Sequence, residues 1–317
     1  MAFSVDYMKK DNLLVKKMAS VESLGTVKDI CTGKTATLTQ NDMRAKKIYI
    51  GEESYELNSK SLGKLNETVR DILIDSIIKN CDARIEMSEK GFYEPTGNGT
   101  EVAMLKFLQE NEVLVHELLT KRQRESEHEC TIPFNPKRKR MTTVYRPYKG
   151  CDTVRVVVKG APEYIMPYCN SELDSQGNII SLSEDRKEKI LNKEIIDNFA
   201  KNYGYRTFLY AYKDMNSEAW ENLQAANSNF VDEESRYIIE EELTFVAGLG
   251  IEDLLRPGVN VSVMNLRDAR ICVRMVSGDN IETAKQAALK AGIITQSNLS
   301  DDDVCMTGDD LMAILGN

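Results

Sequence analysis

Histidine is nearly missing: His116 and His128 are the only two in 317 residues. A metal site or catalytic triad built on imidazole therefore has too few members. The seven cysteines (31, 81, 130, 151, 169, 272 and 305) are scattered, odd in number and never spaced C-x-x-C. That pattern excludes a disulfide framework or a zinc site and fits reduced thiols in a cytosolic setting. No apolar run approaches the ~18 residues a membrane-spanning helix needs. The first residues, Met1-Ala2-Phe3-Ser4, lack the basic-plus-apolar pattern of a secretion signal. Positive charge is in deficit as well: 41 Lys and Arg against 50 Asp and Glu leave a net charge of −9. A general binder of nucleic acid or of anionic membrane is not expected from such a chain. There is no internal repeat and no low-complexity tract. What is present, 42% hydrophobic and 29% charged residues, is the composition of an ordinary globular protein long enough for about two domains.

Residues 5–20 read as a short helix with Tyr7, Leu14, Val15 and Met18 on its apolar side. A strand-like lead-in, 26–31, is followed by a hydroxyl-rich turn, and the alternating Ile48 and Ile50 predict the first strand of a new domain. Residues 62–79 carry Leu65, Val69, Ile72, Leu73, Ile77 and Ile78 at helical spacing, and a second helix is expected over 100–110 behind Asn98 or Thr100 as N-cap. The β-branched runs 142–146 and 153–159, joined by Pro147-Tyr148-Lys149-Gly150, predict a hairpin. A polar helix over 184–202 and a central strand over 206–213 follow. The acidic, amide-rich segment 214–242 reads as a surface excursion. Strands over 244–251 and 271–276 are expected, with Pro257 as the first residue of a helix between them and a last helix from Ile281 to Gly292. The order is strand–loop, some two hundred residues of mixed α and antiparallel β, then β-α-β-α. A doubly wound α/β domain interrupted by an inserted α+β domain explains it.

The chain is organised around Ile30-Cys31-Thr32-Gly33-Lys34-Thr35-Ala36-Thr37-Leu38-Thr39-Gln40-Asn41. Hydroxyls and backbone N–H groups at a strand end are good phosphate ligands, and Lys34 carries a neutralising charge. Gly-Lys-Thr is the ending of a P-loop, but that motif needs a glycine five residues before Gly33, where Lys28 stands. The stretch instead resembles the phosphorylation loop of P-type cation-transporting ATPases, D-K-T-G-T-L-T followed by Asn. Lys34, Thr35, Thr37, Leu38, Thr39 and Asn41 match; Gly33 stands at the position of the nucleophilic Asp and Ala36 at that of the Gly. Glycine offers no carboxylate to attack a γ-phosphate. If the backbone at Ala36 must take a positive φ, its methyl group costs roughly 1 kcal/mol.

Three more stretches resemble the same family in its order: Phe134-Asn135-Pro136-Lys137-Arg138-Lys139-Arg140-Met141, Lys159-Gly160-Ala161-Pro162-Glu163, and Met275-Val276-Ser277-Gly278-Asp279-Asn280. Weaker echoes are Asn98-Gly99-Thr100-Glu101 and Arg206-Thr207, and the likeness is greatest to the plasma-membrane type of calcium pump. It implies nucleotide-binding roles for Glu101, Phe134, Lys139, Lys159, Gly160 and Arg206, phosphate-side roles for Lys34, Thr35, Ser277, Gly278 and Asp279, and a hinge at Asp253 and Arg256, where Leu254 replaces a Pro. Each residue also has a plainer reading. Phe134 alone would be core; 136–140 would be a solvated charge run or a nuclear-import patch; Lys159 would protect an edge strand; Asp279 would be a helix N-cap.

The resemblance further implies a partial haloacid-dehalogenase-like (Rossmann-type) phosphorylation domain at 1–43 and 251–317, interrupted by an α+β nucleotide-binding domain with an antiparallel sheet at 44–250. The expected ligands are ATP or ADP, with Mg2+ as the family's ion. No complete metal site and no catalytic nucleophile are expected here, because the magnesium-holding T-G-D-G-x-N-D-x-P segment and the actuator domain fall outside these residues. In a full-length member the partners are a transmembrane domain and an actuator domain, at the cytosolic face of a membrane. The expected function is nucleotide binding without autophosphorylation. A non-catalytic decoy or interaction protein with a vestigial pocket is the alternative.

Overall fold

A computed structural model describes residues 2–17, 19–88, 91–125, 127–227, 230, 233–299, 301 and 303–316. The strands, in chain order, are β1 (Asp29–Gly33), β2 (Thr39–Ile50), β3 (Glu53–Glu56), β4 (Arg84–Met87), β5 (Tyr93–Thr96), β6 (Glu127–Asn135), β7 (Arg140–Arg146), β8 (Thr153–Gly160), β9 (Cys169–Leu173), β10 (Ile179–Ser181), β11 (Arg206–Asn216), β12 (Leu243–Leu255) and β13 (Cys272–Val276). The chain divides into two compact units. The smaller comprises 1–39, 255–278 and 287–317, and the larger 40–254 and 279–286.

The larger unit is built on a nine-stranded sheet of order β10-β9-β12-β11-β8-β7-β6, with β2 pairing β12 and β3 at its side. Its ladders β6/β7, β7/β8, β8/β11 and β11/β12 are all antiparallel, while β12 meets β9 in parallel. Both faces are covered. On one, Val157, Tyr210, Tyr212 and Leu249 pack with helices Glu67–Lys79 and Gly99–Glu110. On the other, Val154, Val156, Val158, Leu209 and Ala211 pack with Ile190, Ile195, Phe199 and Trp220. Neighbouring residues of one strand thus enter opposite cores, which is why β8 is a continuous valine run and not an alternating one.

The smaller unit contains a parallel pair, β1 and β13, whose register sets Gly33 opposite Val276. Arg274 on β13 pairs with Asp29 on β1 through Nε at 3.0 Å. Two parallel strands in register end on the same side, so the loops that leave them start as neighbours.

Several local expectations shift. The N-terminal helix stops at Lys10, with a separate short helix at Ala19–Leu24; Leu14 is 81% exposed and Met18 lies outside the described residues. Pro257 precedes its helix, Val259–Asp268, by two residues, because Gly258 at φ 82° takes the N-cap. A further helix, Gly308–Leu315, follows the one at Ile281–Lys290. The segment 214–242 is no surface excursion. Trp220, Ile239 and Glu240 are 0% exposed, and the Trp220 ring stacks on Phe230 at 5.4 Å. Trp220, Phe230 and Ile239 are all buried, which the segment's acidic composition conceals.

Candidate functional site

The site is centred on the end of β8, at Lys159 and Gly160. Lys159 pairs with Met141 of β7 and Tyr210 of β11, inside the sheet, so it protects no edge. It is 4% exposed, and Nζ donates to Glu101 Oε1 and to the Asn80 carbonyl. Glu101 lies in the first turn of Gly99–Glu110, where the Asn98 side chain caps by accepting from Thr100 N at 3.0 Å. Its other oxygen accepts from Ala83 N at 2.8 Å and Asp82 N at 3.1 Å. Asn80 is itself fixed by donating to the carbonyls of Met141 (3.1 Å) and Val157 (3.0 Å). A buried ion pair persists only where its remaining valences are satisfied, and here they are.

After Lys159 the chain turns at Gly160. A Cβ there would lie 2.2 Å from the Lys139 carbonyl, so only glycine fits. That carbonyl accepts from Ala161 N at 3.0 Å, tying the end of β8 to the turn between β6 and β7. Within the turn, Lys139 N donates to Asn135 O at 2.7 Å, and Lys139 adopts φ 50°, a left-handed conformation. Lys139 Nζ sits 5.0 Å over the Tyr164 ring. Phe134 is 58% exposed, not core. The charge run beside it is only partly solvated: Arg138 and Arg140 are 4% and 3% exposed and both pair with Glu240.

Arg206 opens β11. Nη1 donates to Thr100 Oγ1 at 3.4 Å and Nη2 to Asp279 Oδ1 at 2.6 Å. Asp279 and its neighbours to 286 cluster with the larger unit. Asp279 does not cap the following helix. Asn280 does, accepting from Glu282 N at 2.9 Å while donating to Glu163. Thr283 Oγ1 donates to the Tyr205 carbonyl at 2.7 Å. The start of helix Gly99–Glu110 therefore links the Glu101–Lys159 pair to Arg206 and Asp279. Phe134, Lys139 and Gly160 gather at the β6–β7 turn.

The phosphate-side loop lies in the smaller unit. Gly33 is extended (φ −73°, ψ 154°), and a Cβ on it would come no closer than 3.9 Å to Thr37 Oγ1. Lys34 is 3% exposed. Ala36 has φ 62°, the positive value expected of a glycine position, with its N–H donating to Thr39 Oγ1 at 3.0 Å. Arg256 holds the loop from outside: its N–H donates to Leu38 O at 2.8 Å and Nη2 to Ala36 O at 2.9 Å. Thr35 follows Gly33 on one of the neighbouring loops, and Ser277 and Gly278 follow Val276 on the other. At Asp253 both carboxylate oxygens are buried without a hydrogen-bond partner. Among the described residues no group of three or more His, Cys, Asp or Glu is placed to hold a metal ion.

Sequence reasoning missed Glu240, Asn80 and Tyr164. Glu240 was masked by its acidic surroundings, and Asn80 by lying at a helix end with no motif around it. None of the three has a local signal, since their partners are distant in sequence.

A family model described as "P-type ATPase, cytoplasmic domain N" matches residues 69–258. Among curated proteins, the "Probable calcium-transporting ATPase 9, plasma membrane-type" of Oryza sativa subsp. japonica is 34% identical over 310 residues, covering 95% of this chain and 27% of the relative. The "Plasma membrane calcium-transporting ATPase 4" of Bos taurus is 34% identical over 324 residues, covering 100% of this chain and 25% of the relative. The "Putative calcium-transporting ATPase 11, plasma membrane-type" of Arabidopsis thaliana is 33% identical, covering 95% and 27%. The chain thus spans about a quarter of the length of the relatives it matches. With a match across more than half its residues, the chain belongs to the P-type ATPase family and carries the family's cytoplasmic domain N.

Proposed function

We propose that this chain binds ATP or ADP through its larger unit, as cytoplasmic machinery of a calcium-transporting P-type ATPase. The observation that carries the reading is the presentation of Phe134. Its ring is 58% exposed at the end of a strand, next to a turn that holds Lys139 in a left-handed conformation and against Gly160. An exposed ring offers a base a stacking surface, and Lys139, Lys159 and Arg206 supply positive charge for what the base carries. Residues 44–250 form the nucleotide-binding domain on this reading. Residues 1–43 and 251–317 belong to a phosphorylation domain of haloacid-dehalogenase-like type, hinged at Asp253 and Arg256. The partners are the transmembrane and actuator domains of a full-length pump, on the cytosolic side of the membrane, and no nucleic acid.

Autophosphorylation is not part of this reading. Gly33 ends β1 where a carboxylate would be needed, and glycine offers no nucleophile to a γ-phosphate. Nucleotide affinity near the millimolar regime, about −4 to −5 kcal/mol, is expected of a site whose cations are already paired. Titration of the protein with ATP by NMR or calorimetry tests the reading, and no saturable binding at several millimolar would reject it. One observation favours the second reading, a vestigial pocket in a decoy or interaction protein. Lys159 and Arg206 are each neutralised from within, by Glu101 and Asp279.

A further inference from the structure

We propose that Glu240 is a positioning residue for the nucleotide: through Arg138 and Arg140 it fixes the turn that presents Phe134 and Lys139. The inference rests on the nucleotide reading above. Glu240 is 0% exposed. One oxygen accepts from Arg138 and from the Thr142 hydroxyl, and the other accepts from Arg140 Nε at 2.6 Å. The two arginines are the immediate neighbours of Lys139, so a single carboxylate grips the chain on both sides of that residue.

Other contacts reinforce the grip. Arg140 Nη1 donates to the Tyr164 carbonyl at 3.1 Å, and Tyr164 is the residue whose ring lies under the Lys139 ammonium. The Arg140 guanidinium lies 4.7 Å from the Tyr168 ring centroid and 5.2 Å from that of Tyr237, which precedes Glu240 by one helical turn. Arg140 faces Asn135 in the β6/β7 ladder, and Asn135 directly follows Phe134. Anchoring Arg140 therefore sets both ends of the turn at once.

The charge balance makes Glu240 indispensable to this geometry. Two buried guanidinium groups share one carboxylate, and Arg138 Nε and Arg140 Nη2 already lack hydrogen-bond partners. Without the carboxylate, two like charges would be left side by side in a dry site, and at least one must move out to water. Because each is covalently next to Lys139, that movement opens the turn. The left-handed backbone of Lys139, costly for a residue with a side chain, would then relax.

The test compares the wild-type chain with Glu240→Gln and with Glu240→Gln/Arg140→Gln, which restores the local charge balance. ATP and adenosine are titrated into each, with backbone amide shifts and melting temperature recorded. In Glu240→Gln the Kd for ATP should rise at least tenfold. The Kd for adenosine should rise as well, because the clamp sets the ring on which the base stacks. In the unliganded variant the amides of 135–140 should shift while those of Glu101 and Lys159 stay. The double variant should recover melting temperature but not affinity, and it carries the test if the single variant does not fold. ATP affinity within twofold of wild type in either folded variant, or unmoved amides at 135–140, would overturn the proposal while leaving nucleotide binding intact. A wild-type protein that binds neither ligand overturns the nucleotide reading, and this inference with it.

Discussion

Replacing Asp279 by Asn should make the chain bind ATP more tightly, the reverse of what most substitutions near a binding site do. Arg206 Nη2 donates to Asp279 Oδ1 at 2.6 Å, with the two side chains 26% and 6% exposed. A phosphate that uses Arg206 must first take it from this carboxylate. At about 4 Å between charge centres and an effective dielectric constant of about 20, the raw attraction is about 4 kcal/mol. After desolvation, a hydrogen bond between charged groups nets ~1.5–3 kcal/mol. Asparagine keeps the shape and a weaker hydrogen bond, so about 1–2 kcal/mol of competition disappears, a gain of roughly 5- to 30-fold in affinity. The helix that follows should not suffer, since Asn280 and not Asp279 caps it.

Calorimetric titration of ATP into wild type, Asp279→Asn, Arg206→Gln and the double variant completes a thermodynamic cycle. The gain should appear in Asp279→Asn and vanish when Arg206 is also replaced. Should Asp279→Asn bind no tighter than wild type, the carboxylate is not a competitor. Should the gain persist without Arg206, it is a general charge effect and the pairing argument fails.

Other substitutions should behave as follows. Lys159→Met leaves the buried Glu101 carboxylate without its cation and should cost about 3–5 kcal/mol in chemical denaturation, most of it recovered by adding Glu101→Gln. Phe134→Ala should weaken ATP binding by about 1 kcal/mol, roughly fivefold, while shifting stability by no more than ~0.5 kcal/mol because the ring is exposed; a large melting shift would return Phe134 to the core. Ala36→Gly removes a methyl from a left-handed position and should stabilise the protein by up to about 1 kcal/mol, read as a raised melting temperature. Gly33→Asp, alone or with Ala36→Gly, should fold, since the space beside Gly33 is open. It should nevertheless incorporate no acid-stable γ-phosphate, since a carboxylate alone supplies neither the placement of the nucleotide nor the neutralisation of its charge that in-line transfer needs. Radiolabel trapped in acid and released by hydroxylamine would count against that.

The parts of the molecule that could be read from the sequence are those whose cause is local. The valine run of β8, the periodic helix Glu67–Lys79 and the Asn98 cap follow from neighbours within a few positions. So does the positive φ at Ala36, which the glycine of the resembled loop foretells. What could not be read depends on distant partners. Arg138 and Arg140 look like a solvated cationic run until Glu240, about a hundred residues on, is brought to them. Glu240 in turn looks like one more surface acid. Lys159 at the end of an apolar strand resembles edge protection because its partner Glu101 lies 58 residues back. Pro257 suits a first helical turn, but Gly258 reaches the left-handed cap more cheaply, which moves the start by two residues.

The placement of β2 has a consequence for how the protein comes to be made. β2 ends at Ile50 and its partner β12 begins at Leu243, so 192 residues of growing chain lie between them. At ~5–20 residues per second, a ribosome takes roughly 10–40 s to supply the second strand. During that interval Ile48, Tyr49 and Ile50, each at most 2% exposed in the finished fold, have β3 as a hairpin partner but lack β12. An apolar strand left unpaired for so long is a target for chaperones and for wrong pairings with other nascent chains. Nascent chains arrested before Leu243 should therefore be cut readily by protease around 45–50, and chains arrested well beyond Leu255 should resist, as β12 arrives to close the sheet over its oldest strand.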